Sequence, residues 1–240
     1  MKIICIGRNY VEHAKELNNP VPTKPMFFVK PDTALLRTHI FYIPPFSNNI
    51  HYELELVVKI KKVGKSISKR FAHKYYDEIS LGLDLTARDL QEECKEKGMP
   101  WEIAKGFDSS APIGKWYQKK DLKSLDFYLL KNGEKVQEGN PSQMVFDIDR
   151  IIEYVSKFMT LKKGDLIFTG TPSGVGPLNK SDQLTASLYI GNELISSEKT
   201  EEKENTLVID SKTSETKIDY RYLTAAVVLG IFLVYWMFLK

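Results

Sequence analysis

The chain has 240 residues, 42% hydrophobic and 27% charged, with a formal net charge of +3. This is enough chain for one sizeable core, its charge is too small and too evenly spread for a nucleic-acid-binding stripe, and its composition is too apolar for a disordered protein. The two cysteines, Cys5 and Cys94, stand far apart without metal-ligand spacing, so neither a disulfide framework nor a zinc–thiolate site is expected and a reducing compartment fits.

In chain order, Ile3-Ile4-Cys5-Ile6 reads as a buried strand that begins almost at Met1. It leaves no room for a signal peptide, so a cytoplasmic catalytic domain is expected. Gly7-Arg8-Asn9-Tyr10 follows, and Tyr10 to Leu17 reads as a short helix that puts His13 and Glu16 three apart on one face. A carboxylate beside an imidazole fixes its tautomer and raises its basicity, as a general base requires, although such a pair is also common on plain surfaces.

Leu54 to Ile60 reads as a strand, preceded by His51-Tyr52-Glu53. Strand side chains alternate faces, so Glu53 and Glu55 point the same way and repel unless a cation or cationic side chain lies between them. A bare Glu-x-Glu is otherwise an exposed strand face. Asp84 sits in the apolar run Leu81-Gly82-Leu83-Asp84-Leu85, where a buried carboxylate is costly unless paired or metal-bound. Three carboxylates with open positions suit a hard cation such as Mg²⁺ or Mn²⁺.

A helix is expected from about Ala87 to Lys97, stopped by Gly98, with Arg88 and Gln91 on one face, as ligand contacts or as ordinary polar surface. Lys105, in Trp101-Glu102-Ile103-Ala104-Lys105-Gly106-Phe107, is hemmed in by apolar residues and is either snorkelling or functional. Phe127 to Leu130 and Leu184 to Ile190 read as strands, and Asn132-Gly133 and Gly191-Asn192 as hairpin turns. Asp147 is a plausible N-cap for a helix carrying Ile148, Ile151, Ile152, Val155 and Phe158. Thr169-Gly170-Thr171-Pro172-Ser173-Gly174 follows the strand-like Asp165 to Phe168 and offers backbone N–H groups and hydroxyls to an anion, without the pattern of a Walker loop or a dinucleotide fingerprint. Strands predominate without regular βαβ alternation, so the expected class is a β-rich α+β fold.

Residues 1–197 therefore read as the catalytic domain and 198–222 as a polar tether. Residues 223–239 are apolar almost throughout and would span about 25 Å as a helix, slightly short of a hydrocarbon core of about 30 Å. Aromatic residues lie near both ends, and Lys217 and Arg221 precede the stretch. A C-terminal transmembrane anchor, inserted with the catalytic domain on the cytoplasmic side, is the expectation.

These segments, in this order, resemble the fumarylacetoacetate hydrolase family, and most closely its short acylpyruvate hydrolase and oxaloacetate decarboxylase branch. The resemblance implies rolled and sandwiched mixed β-sheets, a homodimer, and Mg²⁺ or Mn²⁺ (Ca²⁺ a further candidate) held by Glu53, Glu55 and Asp84. It implies that His13 and Glu16 are a catalytic dyad on a lid-like segment, that Lys105 and Gln91 contact substrate, and that Thr171 holds its carboxylate. It also implies substrate contacts for Arg8 and Arg88. The implied activity is hydrolysis of the C3–C4 bond of acylpyruvate-type 2,4-dioxo acids through an enolate stabilised by a Lewis-acidic cation, with water activated by His13. The alternatives are decarboxylation of oxaloacetate, tautomerisation or isomerisation of a 2-oxo acid, or a membrane-tethered binder without turnover. The tether and apolar tail are additions that the family does not explain.

Overall fold

The computed structural model describes residues 1–211, except 18, 19, 37, 120, 121, 191, 192 and 195–205. Five α-helices occur among them: α1 (Val11–Glu16), α2 (Lys69–Ala72), α3 (Arg88–Lys97), α4 (Glu102–Lys105) and α5 (Ile148–Phe158). The rest of the framework is mixed β-sheet.

The first sheet has six strands in the order Tyr117–Gln118, Tyr76–Leu83, Leu54–Ile60, Leu166–Phe168, Ile3–Gly7 and Met26–Lys30. Its neighbours are antiparallel, except that Ile3–Gly7 runs parallel to Leu166–Phe168. Both faces are buried, which explains runs that are apolar throughout. Ile4, Ile6, Leu54, Leu56 and Val58 enter the main core, while Ile3, Cys5, Val57 and Phe168 pack on the other face with Ala34 and Ala111.

In the second sheet, Glu134–Gly139, Leu125–Lys131, Gln183–Ile190, Thr206–Ser211 and Ile40–Ile43 lie side by side. Phe127, Leu129, Leu184, Leu188, Leu207 and Ile209 face the first sheet's core side, and α5 closes that core with Ile148, Ile151, Ile152 and Val155. A three-stranded sheet of Gly176–Pro177, Ile50–Tyr52 and Thr86–Ala87 pins the segments that flank Glu53 and Asp84.

Local signals act as expected. Asp147 Oδ1 caps α5 by accepting from Arg150 N at 2.7 Å. Gly98, at φ 63°, ends α3. Asn132 and Gly133 take φ of 53° and 86°, the two positive values that a tight two-residue hairpin needs. The turn at 191–192 lies outside the described residues.

One boundary differs. Thr206–Ser211 falls within the expected tether, yet it forms a strand between Gln183–Ile190 and Ile40–Ile43. Leu207 and Ile209 are buried and Val208 is half-buried, so a six-residue stretch too short to show a sustained period supplies a full sheet position. No described helix is long and apolar enough to cross a membrane, and residues 223–239 lie outside the described residues.

Candidate active site

Glu53 lies at the break between the Ile50–Tyr52 and Leu54–Ile60 strands, with Glu55 two residues on, and both face the same way. Asp84 follows directly after Leu83, the last residue of the neighbouring strand. Leu54 pairs with Leu83, and Asp84 N donates to Glu53 O at 2.8 Å, so the register brings the three carboxylates together. All three are buried, with one ligand oxygen of each within 4.8 Å of the others.

Three cations are built around them. Lys105, at the end of α4, donates to Glu53 Oε2 (2.8 Å), Asp84 Oδ2 (3.0 Å) and Thr86 Oγ1 (2.5 Å). Arg88, the first residue of α3, donates to Glu53 Oε1 and Gln91 Oε1, each at 2.6 Å. Lys30 ends the Met26–Lys30 strand fully buried, its Nζ 2.7 Å from Asp84 Oδ1. Its hydrogens go to Leu85 O (3.1 Å), Ser110 O (2.7 Å) and Ser110 Oγ (3.0 Å). It therefore acts on Asp84 as a fixed charge and leaves Asp84 Oδ1 buried without a hydrogen bond.

The carboxylates differ accordingly. Burial alone would raise the Glu53 carboxyl, but Lys105 and Arg88 outweigh it and hold the group below the usual range. Glu55 accepts from Gly170 N at 2.7 Å and forms no ion pair among the described residues. Burial and the neighbouring Asp84 charge push its carboxyl well above the usual range. Burial opposes the Lys105 ammonium, yet Asp84 and Glu53 raise it. An all-oxygen donor set, three converging buried carboxylates and a Glu55 without an ion pair among the described residues fit a hard divalent cation.

On α1, His13 Nδ1 lies 3.1 Å from Glu16 Oε2, and Glu16 Oε1 accepts from Gly174 N at 3.0 Å. This ties α1 to the loop after Leu166–Phe168. Thr171, in that loop, accepts at Oγ1 from Gln137 Nε2 (2.9 Å), which leaves its own hydroxyl hydrogen for a ligand. His13, Arg8, Arg88, Gln91, Lys105, Thr171 and the three carboxylates line one cavity. Arg88 and Gln91 differ from expectation in detail, because Arg88 donates to both Gln91 and Glu53 within its wall. His51 bonds Asn49 Oδ1 (2.9 Å) instead, and burial with the Arg88 charge pushes its imidazole down to about 4.

Sequence reasoning missed three contributors. Lys30 carried a readable signal, a lysine closing the apolar run Met26-Phe27-Phe28-Val29. Gln137, whose Oε1 accepts from Leu54 N at 2.8 Å, carried none. Asn9 clamps the loop after Phe168 through Thr169 O (2.7 Å) and ties it to Phe146 O (3.0 Å), and only the turn after Gly7 hinted at it. The clamp explains Gly170, at φ 102°, where a Cβ would stand 2.6 Å from Asn9 Cβ. Gly170→Ala is expected to cost about 1–3 kcal/mol and to weaken cation binding, because Gly170 N is the donor to Glu55. Urea unfolding beside a Mn²⁺ titration reads both effects.

The family description "Fumarylacetoacetate (FAA) hydrolase C-terminal" matches residues 2–208. A mitochondrial oxaloacetate tautomerase of Bos taurus is 44% identical over 191 residues, covering 78% of this chain and 86% of that one. A mitochondrial oxaloacetate decarboxylase of Dictyostelium discoideum is 44% identical over 182 residues, covering 74% and 84%. Among solved structures, fumarylpyruvate hydrolase from Pseudomonas aeruginosa in complex with Mn²⁺ and pyruvate superposes with a TM-score of 0.77 at 33% identity, covering 88% of this chain and 90% of that one.

Proposed function

Because the chain belongs to the fumarylacetoacetate hydrolase family, we propose that it interconverts the keto and enol forms of oxaloacetate with Mg²⁺ or Mn²⁺ held by Glu53, Glu55 and Asp84. The observation that carries this reading is one cavity lined by both the carboxylate cluster and His13, whose ring is fixed by Glu16. Enolisation needs negative charge stabilised on the 2-oxo oxygen and a base at C3, and it needs no attacking water. The bound cation supplies Lewis acidity toward the 2-oxo group.

The chain's own residues do the rest. With Glu16 taking the Nδ1 hydrogen, His13 Nε2 carries the lone pair that removes the C3 proton, and the enolate oxygen takes a proton from solvent to complete the enol. Lys105 and Arg88 keep Glu53 ionised, and Lys105 also holds Asp84. The Thr171 hydroxyl and the Arg8 guanidinium are available to a substrate carboxylate. The hydrolysis of acylpyruvates expected from the sequence uses the same enolate and adds a water attack. Decarboxylation of oxaloacetate uses it without a base, and the 44% identity to the Dictyostelium enzyme favours it as the second reading.

The test follows enol absorbance and pyruvate release from oxaloacetate in parallel, with an acylpyruvate alongside, in Mg²⁺ and in chelator. Cation-dependent enol–keto exchange faster than pyruvate release is the expected result. Pyruvate release at the same rate puts decarboxylation first, and acylpyruvate cleavage alone restores hydrolysis. His13→Ala is expected to slow tautomerisation roughly 10²–10⁴-fold and decarboxylation far less. Equal losses in both would remove His13 from the role of base.

Two further readings accompany this one. A homodimer is proposed from the family resemblance and is checked by light scattering. Residues 223–239 are proposed as an anchor. Carbonate extraction should leave full-length protein in the pellet and release a form ending at Ser211, a cut that spares the last described strand.

A further inference from the structure

One cation at the cavity has no part in this chemistry. Arg88, Gln91 and Lys95 recur at helical spacing, so α3 turns one continuous face to the cavity, and all three line it. Three of the other cations in and around the cavity are committed. Arg88 holds Glu53 and Gln91, Lys105 holds Glu53, Asp84 and Thr86, and Lys30 is fixed against Asp84, Leu85 and Ser110. These three are set against Glu53 and Asp84. Arg8 and Lys95 also line the cavity, yet neither makes a hydrogen bond or ion pair among the described residues.

Lys95 sits at the mouth, more exposed than its neighbours in the cavity wall, with its Nζ 5.9 Å from the centroid of the Trp101 ring. The indole therefore flanks the ammonium without supplying a counter-ion. Partial burial lowers its ammonium, and the Arg88 and Arg8 charges lower it further, against the opposing pull of Glu53 and Glu92. An anion seated between Arg8 and Lys95 would relieve that repulsion. Arg8 is itself held at φ 57°, a left-handed conformation that a side-chain-bearing residue keeps only where its surroundings impose it.

We infer that Lys95, with Arg8, forms a subsite for the distal carboxylate of a dicarboxylic 2-oxo acid and sets the preference for such substrates over monocarboxylic ones. The inference rests on the reading of the cavity as a 2-oxo acid site. A divalent cation held by the carboxylate cluster would take the 2-oxo acid end, and the unpaired cations at the mouth take the far end. A dianion therefore matches the two uncommitted positive charges better than a ligand ending in a methyl group does.

The test compares wild type, Lys95→Met and Lys95→Arg in the presence of Mg²⁺. Lys95→Met is expected to raise KM for oxaloacetate roughly tenfold to a hundredfold with kcat little changed. The ratio of kcat/KM for oxaloacetate over acetylpyruvate should fall by a similar factor, and Lys95→Arg should restore most of it. A change in kcat alone, or an equal change for both substrates, overturns the subsite. Calorimetric titration with 3,3-difluoro-oxaloacetate, which cannot enolise, and with pyruvate, which lacks the distal carboxylate, separates this from the proposed activity. If wild type fails to turn over oxaloacetate but binds the difluoro ligand more tightly than pyruvate in a Lys95-dependent way, the function falls and the subsite stands. Equal binding of the two ligands, or binding of neither, overturns the subsite.

Discussion

Glu55→Gln is expected to abolish divalent-cation binding and to lower turnover about a thousandfold, while the fold stays close to wild-type stability. Glu55 makes its hydrogen bond to Gly170 N and has no cationic partner among the described residues. With burial and Asp84 raising its carboxyl, the neutral form of Glu55 persists in the cation-free protein to higher pH than that of an ordinary carboxyl group. Glutamine copies that form in shape and keeps an acceptor for Gly170. It cannot ionise, so one of three anionic ligands is lost, and losing about 4 kcal/mol of transition-state stabilisation corresponds to about a thousandfold in rate. A Mn²⁺ titration beside urea unfolding checks both halves, and wild-type affinity in the variant would remove Glu55 from the ligand set. The raised carboxyl also sets a pH signature. The folded, cation-free protein binds a proton that the unfolded chain releases, so its stability falls as pH climbs from the ordinary carboxylate range toward the raised value. A cation that needs the ionised form displaces that proton, so the thermal shift produced by Mn²⁺ grows with pH over the same interval. Glu55→Gln flattens both trends.

Lys105→Met is expected to have the opposite balance, a large loss of stability together with loss of activity. The ammonium bridges two buried carboxylates, and removing one partner of a buried ion pair costs about 3–5 kcal/mol because the remaining charge stays buried. Arg88 still serves Glu53, and Lys30 still stands beside Asp84, so the variant should fold with a lowered unfolding midpoint. The deficit should shrink as pH falls and the stranded carboxylates take up protons, and Mn²⁺ should restore part of the midpoint by replacing the missing charge. A midpoint equal to wild type across pH would show that the bridge contributes little to the fold.

The convergence of the three carboxylates was readable in advance because its signals are local. Alternation along one strand puts Glu53 and Glu55 on one face, and the apolar residues around Asp84 make its burial costly without a partner. The β-rich class, the α5 cap at Asp147 and the Asn132-Gly133 hairpin were readable for the same reason. What supports the cluster was not, because it depends on register between distant segments. Lys30 meets Asp84 only once Met26–Lys30 joins the first sheet, and Gln137 reaches Leu54 N and Thr171 from a strand whose polar sequence looks like surface. Arg88 and Gln91 were placed on the correct face, yet nothing in their spacing shows that the guanidinium would be committed to Glu53. Thr206–Ser211 was hidden because three apolar residues in a polar stretch gain meaning only beside a waiting edge strand.

That last strand also dictates the order in which the molecule can be made. Ile40–Ile43 leaves the ribosome early, but its neighbour in the sheet among the described residues, Thr206–Ser211, emerges late. The first sheet waits as well, since Lys2 bonds Asp165 across 163 residues of chain. A nascent chain therefore holds two exposed strand edges through most of its synthesis, and an edge left open is a template for pairing with another chain. Chaperone dependence and aggregation during expression should fall abruptly once the chain is long enough to free residue 211 from the exit tunnel.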